Sequence, residues 1–537
     1  MSKTIKDPIY GYVTIEDAYI NIIDSVYFQR LRNIIQTSYT SIYPSALHNR
    51  FTHSLGVYWL GTLSFDALIN NSVEIVSSLT KKEISNIKNT FIMACLCHDL
   101  GHSPFSHTGE KFYNIKDIND KLTKVVANRG YTRDLQNKQK IVGKEHEIMS
   151  ALLAIEKFGD IILKENFSLF ARCIIGLQYD QHSKYTKKEQ KSLPLCRACI
   201  ELLNSNIIDV DKLDYLIRDS YMSGYSSVTI DYQRLLSGVF INDGSSPVGY
   251  MKSSLSVLES VLTANDMERR WIQSHPIVQY EAYLLRTIIR EIGNKYNTAD
   301  NELLSLQALT ESGVKINERD RVRLLSDADV LCLAKMDYET SDAVKEYCNR
   351  NLRRHPIWKS EAEFSLLFDF KKNDIFIEII KTWEKDLLDG TYGVYSINKI
   401  FFDKLKDEVK LLTQQKNTLP KGSEKNTLET KILKLNIELN ILEQIEKYLT
   451  AHSIPFDLVI ITQQQFKSNI YKPAFKELPI RFKSISNSIQ QMKDASFMPL
   501  DTQEDSMFFY LYYKVTSDTN VINVEEFSKV LRKAAIV

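Results

Sequence analysis

Apolar residues recur at three- and four-residue intervals through the N-terminal half of the chain. Ile20, Ile23 and Val26 form one such set, and Leu55, Trp59, Leu60 and Leu63 form another. This is the period of a helix with one buried face, and strand signals are almost absent between 15 and 150. The helical pattern continues from 151 to 240 through ALLAIEKF, LFARCIIGL and LCRACIELLNSNIID. It breaks at the polar stretch DQHSKYTKKEQKS (180–192), which is expected to be an exposed loop. Residues 255–300 read as a long amphipathic pair, and SDADVLCLAKM (326–336) as another buried helix. Residues 401–450 are rich in Lys, Glu, Leu and Gln, with a break at TLPKGSEKN (418–426), so two antiparallel helices around a solvated turn are expected. Only FDLVIIT (456–462) and MFFYLYYKV (507–515) carry the β-branched and aromatic density of strands. The fold class that follows is mostly α, with a helical core over 1–350 and a smaller α+β C-terminal lobe over 351–537 that holds the helical hairpin.

Composition narrows the function more than the fold. A chain of 537 residues with 44% hydrophobic content can bury a sizeable core. Lys and Arg total 68 against 67 Asp and Glu, so there is no whole-chain field to draw nucleic acid or an anionic membrane, and neither is expected as a partner. The opening residues lack a signal peptide, and no window reaches the roughly 18 uncharged apolar residues of a membrane span, so a cytoplasmic location is the expectation. Seven Cys, scattered and odd in number, argue for reduced thiols. The CxxC at Cys196 and Cys199 has no second ligand pair nearby in sequence and falls in a helical pattern, so buried thiols are expected there.

The histidines are unevenly placed. Six of ten fall between 48 and 146. In CHDLGHSPFSH (97–107), His98 and Asp99 end the apolar run FIMACLC. Neighbouring residues on a helix point about 100° apart, so an imidazole and a carboxylate can reach one cation beside the helix end. Gly101 and Pro104 then turn the chain, bringing His102 and His107 back over the same point. The bland alternative, in which Asp99 caps a helix and the histidines are core groups, fits one histidine better than this set. His53, in HNRFTHSLG (48–56), is a candidate third ligand with Arg50 one turn before it. In IIDVDKLDYLIRDSYMSG (207–224), Asp209, Asp211, Asp214 and Asp219 punctuate an apolar helix. Asp211, Lys212, Tyr215 and Arg218 lie on neighbouring turns, which offers either a metal carboxylate beside phosphate-binding donors or a ladder of ion pairs.

This order of residues resembles the HD superfamily of metal-dependent phosphohydrolases, and more closely its deoxynucleoside triphosphate triphosphohydrolases, both dGTPase-like and animal-type. The resemblance rests on DPIYGYVTI (7–15), YFQRLRNIIQ (27–36), YPSALHNRFTHSLGV (43–57), HDLGHSPFSH (98–107), KEHE (144–147) and DVDKLDYLIRD (209–219). It implies an HD-domain core whose divalent metal, which could be Mn, Mg, Fe, Zn or Ni, is held by His53, His98, Asp99 and Asp211. It implies hydrolysis of a nucleoside triphosphate at the α-phosphate, with His107 as proton donor, Glu110 behind it and His146 beside the phosphates. Arg50, His102, Lys212 and Tyr215 match residues that hold the triphosphate, Asp219 and Gln36 match readers of the sugar 3′-hydroxyl, and His275 matches a histidine near phosphates and base. The family arginine on the terminal phosphate falls near Asn265, Arg269 or Arg270. The resemblance also implies a homo-oligomer, dimer or tetramer, with a nucleotide effector site at Asp24, Gln29 and Arg32. Thr37 stands where the family commonly has a leucine against the deoxyribose. It leaves room for an HD-type nucleotidase or phosphodiesterase acting on ribonucleotides or cyclic nucleotides. A third class, a regulatory scaffold with an inactive site, is disfavoured by the intact ligand types.

Overall fold

In the computed structural model, helices carry most of the chain, as the apolar period predicts. The structure describes residues 2–127, 143–162, 166–180, 185–225, 228–298, 302–368, 375–419, 422–468, 472–483, 487–495, 507–516 and 520–535. The chain forms two compact units. The first comprises Met1–Gln273, Ile289–Met336 and Lys467–Asp501, and the second comprises Ser274–Ile288, Asp337–Phe466 and Thr502–Val537. The chain thus crosses between them several times, in place of a single passage near residue 350. No helix among the described residues is long and apolar enough to cross a membrane.

The first unit is built on helices α1 (Arg50–Asn70), α2 (Lys81–Cys97), α3 (Glu145–Phe158), α4 (Phe167–Ile175), α5 (Lys187–Leu203), α6 (Val210–Ser223) and α7 (Leu255–Glu268). Helix α1 starts where Asn49 Oδ1 accepts from the Thr52 amide at 3.1 Å, a cap typically worth about 1 kcal/mol. Helices α1 and α2 pack together, α6 lies against α1, and α4 joins α2 to α3. Gly56 makes the α1 to α6 approach possible, because a Cβ there would meet Asp214 Oδ1 at 1.8 Å. The apolar run of α2 is wholly buried from Phe91 to Cys97, which sets His98 at its C-cap inside the unit.

Two sequence expectations change. The expected loop at 180–192 ends early: Thr186 and Glu189 form a capping box that starts α5 at Lys187, while residues 181–184 lie outside the described residues. Strands also occur in the helical half. An N-terminal hairpin pairs Lys3–Asp7 with Gly11–Ile15. A small sheet runs in the order 488–491, 479–482, 248–251, 239–241. Its middle pairing, Ile480 with Tyr250, joins segments too far apart in sequence for any local pattern to announce. Cys196 and Cys199 are buried thiols on α5, as expected.

In the second unit, strand Asp457–Gln464 pairs antiparallel with Met507–Tyr513, so both expected strands are present. Helices Lys399–Thr418 and Ser423–Ala451 form the expected hairpin, with residues 420–421 outside the described set. Lys431 pairs Glu408 at 2.8 Å and Lys416 pairs Glu429 at 3.3 Å, an order that makes the two helices antiparallel.

Candidate active site

Three helices of the first unit deliver the residues singled out in the sequence. His53 comes from the second turn of α1, the pair His98 and Asp99 from the end of α2, and Asp211 from the first turn of α6. Their ligand atoms converge. His53 Nε2 lies 3.0 Å from Asp211 Oδ1, 3.3 Å from His98 Nε2 and 3.6 Å from Asp99 Oδ2. His98 Nε2 lies 3.4 Å from Asp99 Oδ1 and 3.7 Å from Asp211 Oδ1. His53, His98 and Asp99 are buried, whereas the Asp211 side chain keeps 38% of its surface exposed and marks the open side.

The outer hydrogen bonds fix which nitrogen of each ring faces inward. Asp214 Oδ2 takes Nδ1 of His53 at 2.7 Å, and the Cys95 carbonyl takes Nδ1 of His98 at 2.9 Å. Such outer acceptors are what orient metal-binding imidazoles and make their inner nitrogens more basic. Asp214 is held in turn by Arg218, at 2.9 and 3.0 Å, and by the Tyr10 hydroxyl at 2.7 Å, while Arg218 also reaches Asp7 at 2.9 Å. The motif DPIYG therefore closes the network behind His53. Sequence reasoning named Asp214 without giving it this part, and it gave Asp7 and Tyr10 none.

Electrostatics agree with a cation at the centre. Burial alone would push Asp99 and Asp211 up. Arg50 and His98 hold Asp99 well below the usual carboxylate range, and hydrogen bonds with His53 and His98 do the same for Asp211. Burial would lower His53, but its bonds to Asp211 and Asp214 outweigh that and raise it to about 10. His98 is raised against burial by the charge of Asp99. Two imidazoles and two carboxylates that together attract positive charge form a donor set suited to a divalent transition metal or Mg. His53, His98 and Asp99 form a group with mutually adjacent ligand atoms that could hold a metal ion, and Asp211 lies on its open side at 3.0 Å from His53 and 3.7 Å from His98.

A second group lies beside the first. His102, on the turn after α2, approaches Asp99 Oδ1 with Nε2 at 3.0 Å and stacks on His146 at 4.1 Å between ring centroids. Glu110 accepts from Nδ1 of both His107 and His146, one oxygen to each. Burial would raise Glu110, yet these two bonds hold it well below the usual range. Burial and the Arg50 charge push His102 well below its usual value, so it is a neutral imidazole. Gly101 allows this turn to lie on α3, since a Cβ there would meet the Ser150 amide at 2.4 Å.

Backbone strain sits at the same turn. Phe105 and Ser106 have φ of 57° and 51°, the left-handed region that bulky residues avoid at a cost of order 1–3 kcal/mol each. Buried side chains hold the strained turn. Asp327 accepts from the Phe105 amide at 2.8 Å and from Ile35 at 2.9 Å, and burial pushes its carboxyl up to about 6. Arg30 donates to the carbonyls of Leu100 at 2.9 Å and His102 at 2.7 Å. Neither residue was a sequence candidate, although both lie inside recognisable stretches, FQRLR and SDADVL.

The remaining candidates fall as follows. Arg50 donates to Asp99 at 2.8 Å and to Ser106 Oγ at 3.1 Å. Asp219 pairs with His48 at 2.6 Å, and Gln36 is buried nearby in sequence to His48, whose carbonyl accepts the Gln36 amide at 3.0 Å. Asp209 is the N-cap of α6, accepting from the Lys212 amide and, at 2.7 Å, from Lys212 Nζ. Thus the four aspartates of this helix divide into a cap, an inner carboxylate, an outer carboxylate and a histidine partner. Lys212 and Tyr215 line a cavity of about 170 Å³ with Asn265 and Arg269, whereas Arg270 lies over the Trp271 ring at 4.8 Å. His275 lies in the second unit, where its Nδ1 accepts from the Ile277 amide at 3.2 Å. Asp24 pairs with Lys3, and Gln29 Oε1 accepts from Arg32 Nε at 2.8 Å.

A histidine, a His-Asp pair and an aspartate in this order, converging from three helices, match the residue pattern of the HD superfamily of phosphohydrolases. No family model matches the chain. The chain is 34% identical over 239 residues to the deoxynucleoside triphosphate triphosphohydrolase SAMHD1 homolog of Dictyostelium discoideum, and 30% identical over 240 residues to the SAMHD1 enzyme of Homo sapiens. These matches cover 44% of this chain and only 39% and 35% of those proteins. It is also 28% identical over 389 residues to an uncharacterized protein of Methanocaldococcus jannaschii, covering 70% of this chain and 69% of that one. A phosphohydrolase structure from Bacteroides thetaiotaomicron shares the fold, with a TM-score of 0.54 at 19% identity over 96% of this chain and all of that one. The chain is thus similar, over less than half of its length, to deoxynucleoside triphosphate triphosphohydrolases, and it spans well under half the length of those proteins.

Proposed function

We propose that this phosphohydrolase cleaves a nucleoside triphosphate, preferentially a deoxynucleotide, at its α-phosphate to give nucleoside and tripolyphosphate. The observation that carries the reading is the convergence of His53 Nε2, His98 Nε2, Asp99 and Asp211 at 3.0–3.7 Å, with both outer nitrogens already engaged. A divalent ion bound by these four would polarise an α-phosphate oxygen and lower the pKa of a bound water. The protein's own groups do the rest. His107 Nδ1 is tied to Glu110, which turns Nε2 outward to give a proton to the leaving 5′-oxygen. His146, held by the same carboxylate, and the neutral His102 stacked on it face the phosphate chain. Arg50, Lys212 and Tyr215 hold the triphosphate, and Asp219 and Gln36 read the 3′-hydroxyl. The active form is a homo-oligomer, and Asp24, Gln29 and Arg32 are the proposed effector contacts.

The test is product identification with Mn²⁺ or Mg²⁺ across all eight common ribo- and deoxynucleoside triphosphates, singly and in pairs. Tripolyphosphate plus nucleoside is expected, with faster turnover of a deoxynucleotide when a second nucleotide is present. Orthophosphate or pyrophosphate as the first product would overturn the reaction, and equal or better turnover of ribonucleotides would transfer the reading to an HD-type ribonucleotide hydrolase.

A further inference from the structure

The cavity beside α6 contains a cation that belongs to none of the motifs. Lys212, Tyr215, Asn265, Arg269, Gln273 and Lys472 line it, and among the described residues that line it none is a carboxylate. Lys212 and Tyr215 lie on α6, directly after Asp211 and one turn beyond it, so two of the lining residues share a helix with the inner carboxylate. Arg269 opens a π-helical turn, Arg269–Gln273, which inserts one residue after α7. Such single π turns re-aim side chains and concentrate at functional sites.

Lys472 arrives from a distant part of the chain that folds onto this wall. Ser468 Oγ bonds to Asp266 on α7, and the Lys467 carbonyl accepts from Arg269 at 3.5 Å. Seven residues past Lys472 the chain enters the small sheet, where Arg481 pairs with Met251. Lys212 has Asp209 at 2.7 Å and Arg269 has Asp266 at 4.0 Å, but Lys472 has no carboxylate within ion-pair distance among the described residues. Partial desolvation of the otherwise exposed side chain, then the charges of Arg269 and Lys212, lower the Lys472 ammonium, with Asp266 acting in the opposite sense. Three cations drawn toward one cavity against their own repulsion suit a multiply charged anion.

We propose that Lys472 binds the distal end of the substrate's phosphate chain and makes the site selective for a triphosphate over a di- or monophosphate. This rests on the reading of the site as a nucleoside triphosphate hydrolase. Lys212 serves the phosphates near Asp211, and Arg269 with Lys472 closes on the terminal one. The specificity element is then supplied by Lys472, outside every motif that marks the chemistry.

The test is calorimetric binding of inorganic tripolyphosphate, pyrophosphate and orthophosphate to the full chain, comparing the native protein with Lys472→Gln and Lys472→Arg. Lys472 is exposed, so neither variant should unfold, and equal thermal melts check this. Lys472→Gln should weaken tripolyphosphate about tenfold, the scale of one charge-assisted hydrogen bond, with pyrophosphate changed less than about twofold and Lys472→Arg restoring most of the loss. Unchanged tripolyphosphate affinity, or equal weakening of tripolyphosphate and pyrophosphate, overturns the proposal. Turnover separates it from the function on which it rests. A native protein that binds tripolyphosphate through Lys472 but cleaves no nucleoside triphosphate refutes the function and leaves this site standing. A Lys472→Gln variant that cleaves triphosphates with unchanged KM refutes the site and leaves the function.

Discussion

The two histidine groups of the first unit are neighbours wired in opposite senses. In the first, His53 and His98 engage acceptors behind them, Asp214 and the Cys95 carbonyl, and turn both Nε2 atoms toward each other and toward Asp211. In the second, the carboxylate sits between the rings: Glu110 takes Nδ1 of His107 and His146 and turns both Nε2 atoms away from itself. The first pattern concentrates lone pairs on one point, which is what a cation needs. The second anchors two imidazoles on a buried anion with their far nitrogens free to exchange protons. Identical residue types are thus presented in two arrangements, and the position of the hydrogen-bonded carboxylate sets which way the free nitrogens point.

The most severe way to break the contrast is to remove the inner ligands. The double change His98→Ala with Asp99→Ala should abolish both bound metal and turnover, as read by elemental analysis and a product assay. Next, Glu110→Gln should cut turnover by about 10²–10⁴-fold, the usual contribution of a positioned proton donor, while metal content stays at the native level. Loss of metal in that variant would mean the two groups form one centre. Asp214→Asn should weaken metal binding about 10–100-fold and destabilise the protein by roughly 3–5 kcal/mol, because Arg218 is left as a buried charge with less to pair it. A metal titration and a denaturant melt report the two effects separately.

The mildest effect concerns the turn between the groups. Burial sets the folded pKa of Asp327 near 6, above the roughly 3.9 of an unfolded aspartate. A raised carboxyl favours the folded state while protonated, so its contribution is full below about pH 4 and declines as pH rises through 6. Between pH 7 and pH 5 the native protein should therefore gain about 1 kcal/mol more stability than Asp327→Asn does. Equal gains in the two melts would place the titration elsewhere.

The inner residues were legible because their signals are local. His98 and Asp99 are adjacent, Asp211 lies on a strongly patterned helix, and His102 and His107 follow a Gly and a Pro that must turn the chain. What supports them was not legible. Tyr10 and Asp214, or Arg30 and the His102 carbonyl, meet only after the helices pack, and no spacing rule links such positions. The mostly α class was readable from the apolar period, while the strands at 239–241, 248–251 and 479–482 were too short to register. The start of α5 was readable and missed: Thr186 with Glu189 three residues on is a capping-box signature inside a stretch whose polarity suggested a loop.

The central claim is attack at the α-phosphorus in a site centred on His53, His98, Asp99 and Asp211. Turnover of a deoxynucleoside triphosphate in ¹⁸O-labelled water, followed by mass analysis of both products, tests it most directly. Attack at the α-phosphorus puts the label in tripolyphosphate and none in the nucleoside, with the signal gone in the His98→Ala, Asp99→Ala protein. Label in the nucleoside, or in released orthophosphate or pyrophosphate, would contradict it.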